Sequence, residues 1–350
     1  MTRRRLVHLL PGLGVGGSER LVLELCAHLD PRRFEQHVVL SRATSVTPWW
    51  PAGLEPTVPL HLARGRVPET LAALEPGLVH APWWGVDDPA LRDLVSAAGG
   101  PPVVLSATDG HQPVRGPAIR ATVFCCAAQR DAVAEPPRPS TVIHNGISPP
   151  PPVTSAERLA ARRRLALAGD AEVALVMVRL QHDKVNAAGF EAVATLLRER
   201  PAATVMVLGS GDRLAAWRRR AATCGNAGRV RFFGLVPRPR PQLAAADLLL
   251  YPVRRDTFPY AVLEALGCGL PVVALELPGL REMCGGAAVL AGSPAAAGAE
   301  AAALLGDPAR RERLAVAGRA RAAGLGAAAT AAAYQRVFEA VLQEAATPLP

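Results

Sequence analysis

Three stretches of this 350-residue chain place chemically capable side chains at spacings that suit an anionic ligand. The first is Val178-Arg179-Leu180-Gln181-His182-Asp183-Lys184, where an arginine and a lysine stand five residues apart as a strand gives way to a helix. Such a pair can clamp a diphosphate, the guanidinium as a bidentate fork and the ammonium as a point charge; a solvated charged loop is the plainer reading. Lys184 is the only lysine beside 38 arginines. A GC-rich coding bias turns lysine into arginine wherever either serves, so a lysine that persists marks either a place where a compact ammonium is needed or an accident of composition.

The second stretch runs Asp256-Thr257-Phe258-Pro259-Tyr260-Ala261-Val262-Leu263-Glu264. A strand ends near Tyr251, a loop carries Asp256, a helix starts at about Pro259, and Glu264 lies one turn into it. Proline suits a first helical position. The N–H groups around Phe258, Tyr260, Ala261 and Val262 would offer partial positive charge to a phosphate. Two carboxylates eight residues apart can accept from hydroxyls on either side of that phosphate, which matches a ligand of polyol–diphosphate–ribose form such as a sugar nucleotide. The acid and base of a glycosidase are the other use for such a pair. That use leaves the basic and glycine-rich loops idle. The third stretch, Gly12-Leu13-Gly14-Val15-Gly16-Gly17-Ser18, fits GxGxxG between a strand and a helix. It reads as a phosphate loop or as a plain tight turn. The end of the second strand holds Ser41-Arg42 rather than an acidic residue. A 2′-phosphate is then the most a dinucleotide reading could use, which keeps an NADP-dependent oxidoreductase open.

These loops need a scaffold, and the chain supplies one twice. Short apolar runs bounded by glycine, proline or polar residues read as buried parallel strands: Leu6–Leu10, His37–Leu40, Leu78–His80, Val103–Ser106, Ala121–Cys126 and Thr141–His144, then Val173–Leu180, Thr204–Leu208, Val230–Phe233, Leu248–Tyr251 and Val272–Ala274. Helical patterns alternate with them at Ser18–Leu29, Ala187–Arg198, Asp212–Thr223, Tyr260–Leu266 and Ala295–Leu305. The alternation predicts an α/β chain of two doubly wound, Rossmann-like parallel-sheet domains facing a central cleft. Four consecutive prolines, Pro149–Pro152, form a stiff linker. The expected division is residues 1–148 on the acceptor side, 149–325 on the donor side, and 326–350 as a C-terminal helix packing back through Tyr334, Val337, Phe338, Val341 and Leu342.

Composition excludes several classes. At 50% hydrophobic and 20% charged residues, the chain can bury real cores. The +9 net charge is carried almost entirely by the second half, +8 over 151–350 against +1 over 1–150. It is spread along helices without interleaved aromatics, which argues against nucleic acid as a partner and fits a small anionic ligand. The six cysteines show no metal-like spacing and read as reduced core residues. The first ten residues read as a strand rather than a leader, and no apolar run reaches 18 residues. Asp87-Asp88 reads as exposed loop.

In their order along the chain, these motifs resemble those of glycosyltransferase family 4, retaining enzymes of the GT-B fold. Residues 256–273 resemble E-x-F-P-x-x-x-x-E-A-x-x-C-G-x-P-V-V, through Phe258, Pro259, Glu264, Ala265, Cys268, Gly269, Pro271, Val272 and Val273. Gly16-Gly17-Ser18-Glu19-Arg20 is similar to G-G-A/S-E-R, and Val142-Ile143-His144-Asn145-Gly146-Ile147 to V-I-x-N-G-I/V. Arg179, Leu180 and Lys184 match G-R-L-x-x-x-K, and Leu208-Gly209-Ser210-Gly211, Phe232-Phe233-Gly234 and Pro278-Gly279-Leu280-Arg281-Glu282 resemble the family's later glycine motifs.

The resemblance implies a UDP- or GDP-sugar donor, an acceptor hydroxyl on a glycan, lipid-linked or small molecule, and no cofactor or metal. Arg179 and Lys184 would hold the diphosphate, Glu264 the ribose and Asp256 the donor sugar. Gly16, Gly17 and the segment Phe258, Pro259, Tyr260, Ala261, Val262 would line the donor. It implies a bacterial, cytoplasmic protein, with any peripheral contact at the inner membrane face weak, since the first half is nearly neutral. Val178 stands where the family has Gly, and Asp256 where it has Glu. The family's first-domain histidine is displaced: Asp109 occupies its place, with His111 two residues on as the catalytic candidate, and His80 at another strand end fits more loosely. A degenerate, non-catalytic sugar-nucleotide binder is therefore the alternative to an active transferase.

Overall fold

The computed structural model describes residues 3–346 apart from 13, 15, 43–57, 84–87, 98, 109–113 and 138. The chain divides into two compact units, Met1–Ser148 with Leu325–Pro350, and Pro149–Gly324.

The first unit is built on seven strands: β1 (Arg4–Leu10), β2 (Phe34–Leu40), β3 (Leu60–Leu62), β4 (Leu78–Trp83), β5 (Val103–Ala107), β6 (Ile119–Phe124) and β7 (Ser140–Val142). They pair in the order β3-β2-β1-β4-β5-β6-β7, every pairing parallel. Side chains alternate between the two faces. Val7, Leu9, Val39, Val79, Ala81, Val103 and Leu105 pack on one face with α2 (Val67–Leu74) and α3 (Pro89–Ser96). Leu10, Val38 and Leu40 meet Val22 of α1 (Gly17–His28) on the other. A short α4 (Ala127–Asp131) follows β6. The last helix of the chain, α13 (Ala327–Ala346), belongs to this unit and buries Tyr334, Phe338 and Val341.

The second unit has six strands: β8 (Val173–Met177), β9 (Thr204–Leu208), β10 (Val230–Gly234), β11 (Leu248–Tyr251), β12 (Val272–Leu275) and β13 (Val289–Ala291). Their order is β10-β9-β8-β11-β12-β13, again all parallel. Eight helices connect and flank them: α5 (Ser155–Arg164), α6 (Ala187–Glu199), α7 (Leu214–Thr223), α8 (Arg240–Ala245), α9 (Tyr260–Gly267), α10 (Pro278–Cys284), α11 (Pro294–Leu305) and α12 (Pro308–Ala323). Central strands β8, β9, β11 and β12 are buried almost throughout, as strands covered on both faces must be.

The expected fold class is the observed one, two doubly wound parallel sheets. Two strands went unread, β3 and β13. Each is a three-residue, partly buried edge, too short for an apolar run. The strand expected to reach Leu180 ends at Met177. No helix among the described residues is long and apolar enough to cross a membrane.

Candidate functional site

In an open α/β sheet, ligands bind beyond the carboxyl ends of the two strands where the strand order reverses. In the second unit those strands are β8 and β11. The Arg179–Lys184 loop leaves β8 and the Asp256–Glu264 segment leaves β11, so the topology brings the two motifs together.

Beyond β8 the backbone continues beside the segment after β9, with Val178 N–H donating to the Leu208 carbonyl at 3.0 Å and Leu180 N–H to Ser210 at 3.0 Å. This approach needs glycine. Gly209 and Gly211 have φ of +134° and +148°, and a Cβ on them would collide with the carbonyls of Val178 and Leu180 respectively. Arg179 is exposed, and its Nη1 donates to Gln181 Oε1 at 2.8 Å. The next residues form a turn, Lys184 N–H to Gln181 carbonyl at 3.0 Å, tied sideways by the His182 amide to Asp212 Oδ1 at 3.1 Å.

Lys184 turns inward. Its side chain is 10% exposed and its Nζ lies 3.4 Å from Asp256 Oδ2. Asp256 also accepts from the Tyr251 hydroxyl at 2.7 Å and, through Oδ1, from the Thr257 amide at 2.9 Å. Burial, followed by the charge of Asp256, pushes the Tyr251 phenol well above its ordinary value, so it remains a proton donor. Tyr251 ends β11 and looks in sequence like one more core residue; nothing in the spacing flags it, because its contact depends on how residues 252–255 turn.

Pro259 caps α9 and Glu264 is half-buried within it. The side chains of Phe258, Tyr260 and Val262 are buried, so these three can address a ligand only through their backbone. Pro259 has no N–H, and the Val262 N–H already donates to the Pro259 carbonyl at 3.1 Å.

The first unit reads differently. Gly16 precedes α1 and Gly17 opens it. The Gly14 amide donates to Glu19 Oε1 at 2.9 Å, and Glu19 is only 4% exposed. A Cβ on Gly16 would stand 2.6 Å from Glu19 Oε2, so the glycine makes room for the chain's own carboxylate. Ser41 Oγ donates to Asp88 Oδ2 at 2.6 Å, and Arg42 Nε lies 3.7 Å from the same oxygen. Asp88 is no exposed loop residue as expected: it is 4% exposed and caps α3 by accepting from the Ala90 amide at 3.0 Å. Two carboxylates thus sit where the NADP reading would put phosphates. His80 is fully buried, bonded to Ser106 Oγ at 2.8 Å and His8 Nδ1 at 2.9 Å, and belongs to the core. His111, Asp109 and Asp87 lie outside the described residues. Among the described residues no group of three His, Cys, Asp or Glu converges as a metal site.

Residues 171–307 match the family model described as Glycosyl transferases group 1. A D-inositol 3-phosphate glycosyltransferase of Thermobispora bispora is 34% identical over 61% of this chain and 54% of the relative. The chain therefore spans about half the length of that relative. One from Kineococcus radiotolerans is 27% identical over 96% of this chain and 93% of its own. Among solved structures, Anabaena HepE in complex with UDP and glucose superimposes with a TM-score of 0.77 at 18% identity, covering 97% of this chain and 99% of that one. WaaG, a glycosyltransferase involved in lipopolysaccharide biosynthesis, gives 0.73 at 16% identity over 95% and 99%. The fold is GT-B.

Proposed function

We propose that the chain is a retaining glycosyltransferase of family 4 type that moves a sugar from a UDP- or GDP-sugar to an acceptor hydroxyl without a metal ion. The observation that carries the reading is the Lys184–Asp256 pair, 3.4 Å apart, formed by the two segments that leave β8 and β11 and that also carry Arg179 and Glu264. The match of residues 171–307 to Glycosyl transferases group 1 and the UDP bound by HepE support it.

The reaction breaks the bond between the anomeric carbon and the diphosphate oxygen, which leaves with the electron pair. Arg179 and Lys184 stabilise that developing charge, and fixed positive groups aimed at a leaving oxygen are among the largest catalytic terms. Glu264 accepts from the ribose hydroxyls, and backbone N–H groups at the start of α9 take phosphate oxygens. Retention places the acceptor hydroxyl on the face the diphosphate leaves, where the released phosphate oxygen is the nearest base for its proton.

Calorimetry with UDP and GDP tests the reading: one of them binds, and no binding by either overturns it. Anomeric coupling constants in the product separate retention from inversion, and full turnover in EDTA checks the metal-free claim. The relatives' activity makes D-inositol 3-phosphate the first acceptor to try.

A further inference from the structure

Asp256 is more fully engaged than a sugar-binding carboxylate needs to be. Of about four lone-pair directions on a carboxylate, the Thr257 amide takes one on Oδ1 and the Tyr251 hydroxyl one on Oδ2, and the Lys184 ammonium stands 3.4 Å from the same Oδ2 as an ion pair. The side chain is 13% exposed. Building on the donor reading above, we propose that Tyr251 and Asp256 are positioning residues that clamp the Lys184 ammonium in place for the donor diphosphate, and that Asp256 acts through Lys184 rather than by touching the sugar.

A lysine stem is long and flexible, and its charged end ordinarily escapes to water along the shortest path. Here the stem is buried, and only a fixed anion can keep the ammonium at depth. Asp256 is such an anion because its own position does not depend on Lys184: a main-chain amide holds one oxygen and a phenol at the end of β11 holds the other. The backbone adds a third tie, Arg254 N–H to the Lys184 carbonyl at 3.3 Å, joining the two loops directly. The clamp also accounts for the survival of one lysine in an arginine-rich chain. Asp256 faces a compact ammonium at a near-buried point, whereas a planar guanidinium fills more space and demands a fork of acceptors.

The same composition makes the test direct. Protein grown on ¹³Cε-lysine has one lysine Cε resonance, that of Lys184, visible without any ligand. A held ammonium gives two inequivalent Hε shifts. Tyr251→Phe and Asp256→Asn are near-isosteric, and each is expected to bring those shifts towards degeneracy while the Tm stays near wild type. An unchanged Lys184 peak in both variants overturns the clamp.

Calorimetry with UDP and UDP-glucose is the second arm. Action through Lys184 requires both variants to change the two affinities by the same factor, with Tyr251→Phe weakening each about fivefold, the size of one lost hydrogen bond. A loss confined to UDP-glucose means that Asp256 contacts the sugar and overturns the proposal. Failure of the wild-type protein to bind UDP or GDP would instead sink the donor reading, while the lysine spectra still decide the clamp.

Discussion

Each unit buries a tyrosine whose hydroxyl donates to a polar side chain, and the two sites differ in everything else. In the first unit Tyr334 and Ser106 Oγ are 2.8 Å apart, Ser106 Oγ and His80 Nε2 2.8 Å, His80 Nδ1 and His8 Nδ1 2.9 Å, and His8 Nε2 and Gln36 Oε1 3.2 Å. Gln36 Nε2 donates to the Cys26 carbonyl at 3.3 Å, so its oxygen faces His8. His8 must then donate from Nε2 and accept at Nδ1, His80 must donate from Nδ1, Ser106 must donate to His80, and Tyr334 must donate to Ser106. The chain runs one way, neutral throughout, from Tyr334 on α13 across β5, β4 and β1 to Gln36 on β2. In the second unit Tyr251 donates to a carboxylate that also faces an ammonium, with the exposed Arg179 nearby, beyond the strand ends. A closed neutral chain has no use for a ligand and serves cohesion. A charged cluster at a strand-order reversal is built to meet one.

Removing Lys184 is the harshest way to break this contrast. Lys184→Ala should cut turnover of a sugar nucleotide at least a hundredfold, the scale of losing one preorganised donor to a leaving group, with the Tm near wild type. Lys184→Arg should not restore it. Near-normal steady-state turnover in both variants would make the second cluster as structural as the first.

Acid should break the first cluster. Burial, partly offset by the bond to Gln36, lowers the His8 pKa from 6.5 to about 4, and burial with the neighbouring His8 also holds that of His80 well below its ordinary value. The unfolded chain therefore binds protons that the folded one refuses. The stability from keeping His8 neutral is fully present above pH 6.5 and declines as pH falls towards 4, by about 3 kcal/mol at 1.36 kcal/mol per pKa unit. Urea titrations at pH 7.5, 5.5 and 4.5 should show this slope, and His8→Gln should make it shallower by the His8 share, leaving that of His80. A slope unchanged in His8→Gln would place the acid sensitivity elsewhere.

What could be read from sequence and what could not follow the same division. Runs such as Val173–Met177 and Leu248–Tyr251 announced strands because central parallel strands are apolar throughout, and Lys184, Asp256 and Glu264 stood out as charges at fixed distances from them. Tyr251 did not, since a tyrosine at a strand end is ordinarily core and its partner is chosen by a turn. His80 looked like a loop histidine because its burial depends on the register that sets it opposite His8 on β1, which no local pattern encodes. Asp88 looked exposed because its role as a cap depends on where α3 begins.

Gly209 tests how far the second cluster depends on backbone alone. With φ of +134° and the Val178 carbonyl in the way of any Cβ, Gly209→Ala should cost about 2 kcal/mol in urea unfolding. It should also weaken UDP binding, since the segment that moves carries Arg179. Loss of stability without loss of affinity would show that Arg179 finds its place without this backbone contact.

The smallest effects bear most directly on the comparison. Tyr334→Phe removes the donor to Ser106 and leaves a buried hydroxyl short of one partner, which should lower unfolding free energy by about 1 kcal/mol and leave UDP affinity untouched. Tyr251→Phe removes a donor of the same kind at the same depth. Its carboxylate partner keeps the Thr257 amide and Lys184, so the loss should fall on nucleotide affinity by about fivefold rather than on the Tm. The pair of variants forms a crossed test, read by urea unfolding and calorimetry on both proteins. If both tyrosines altered stability alone, the second cluster would be a charged version of the first, and its place at the ends of β8 and β11 would carry no functional meaning.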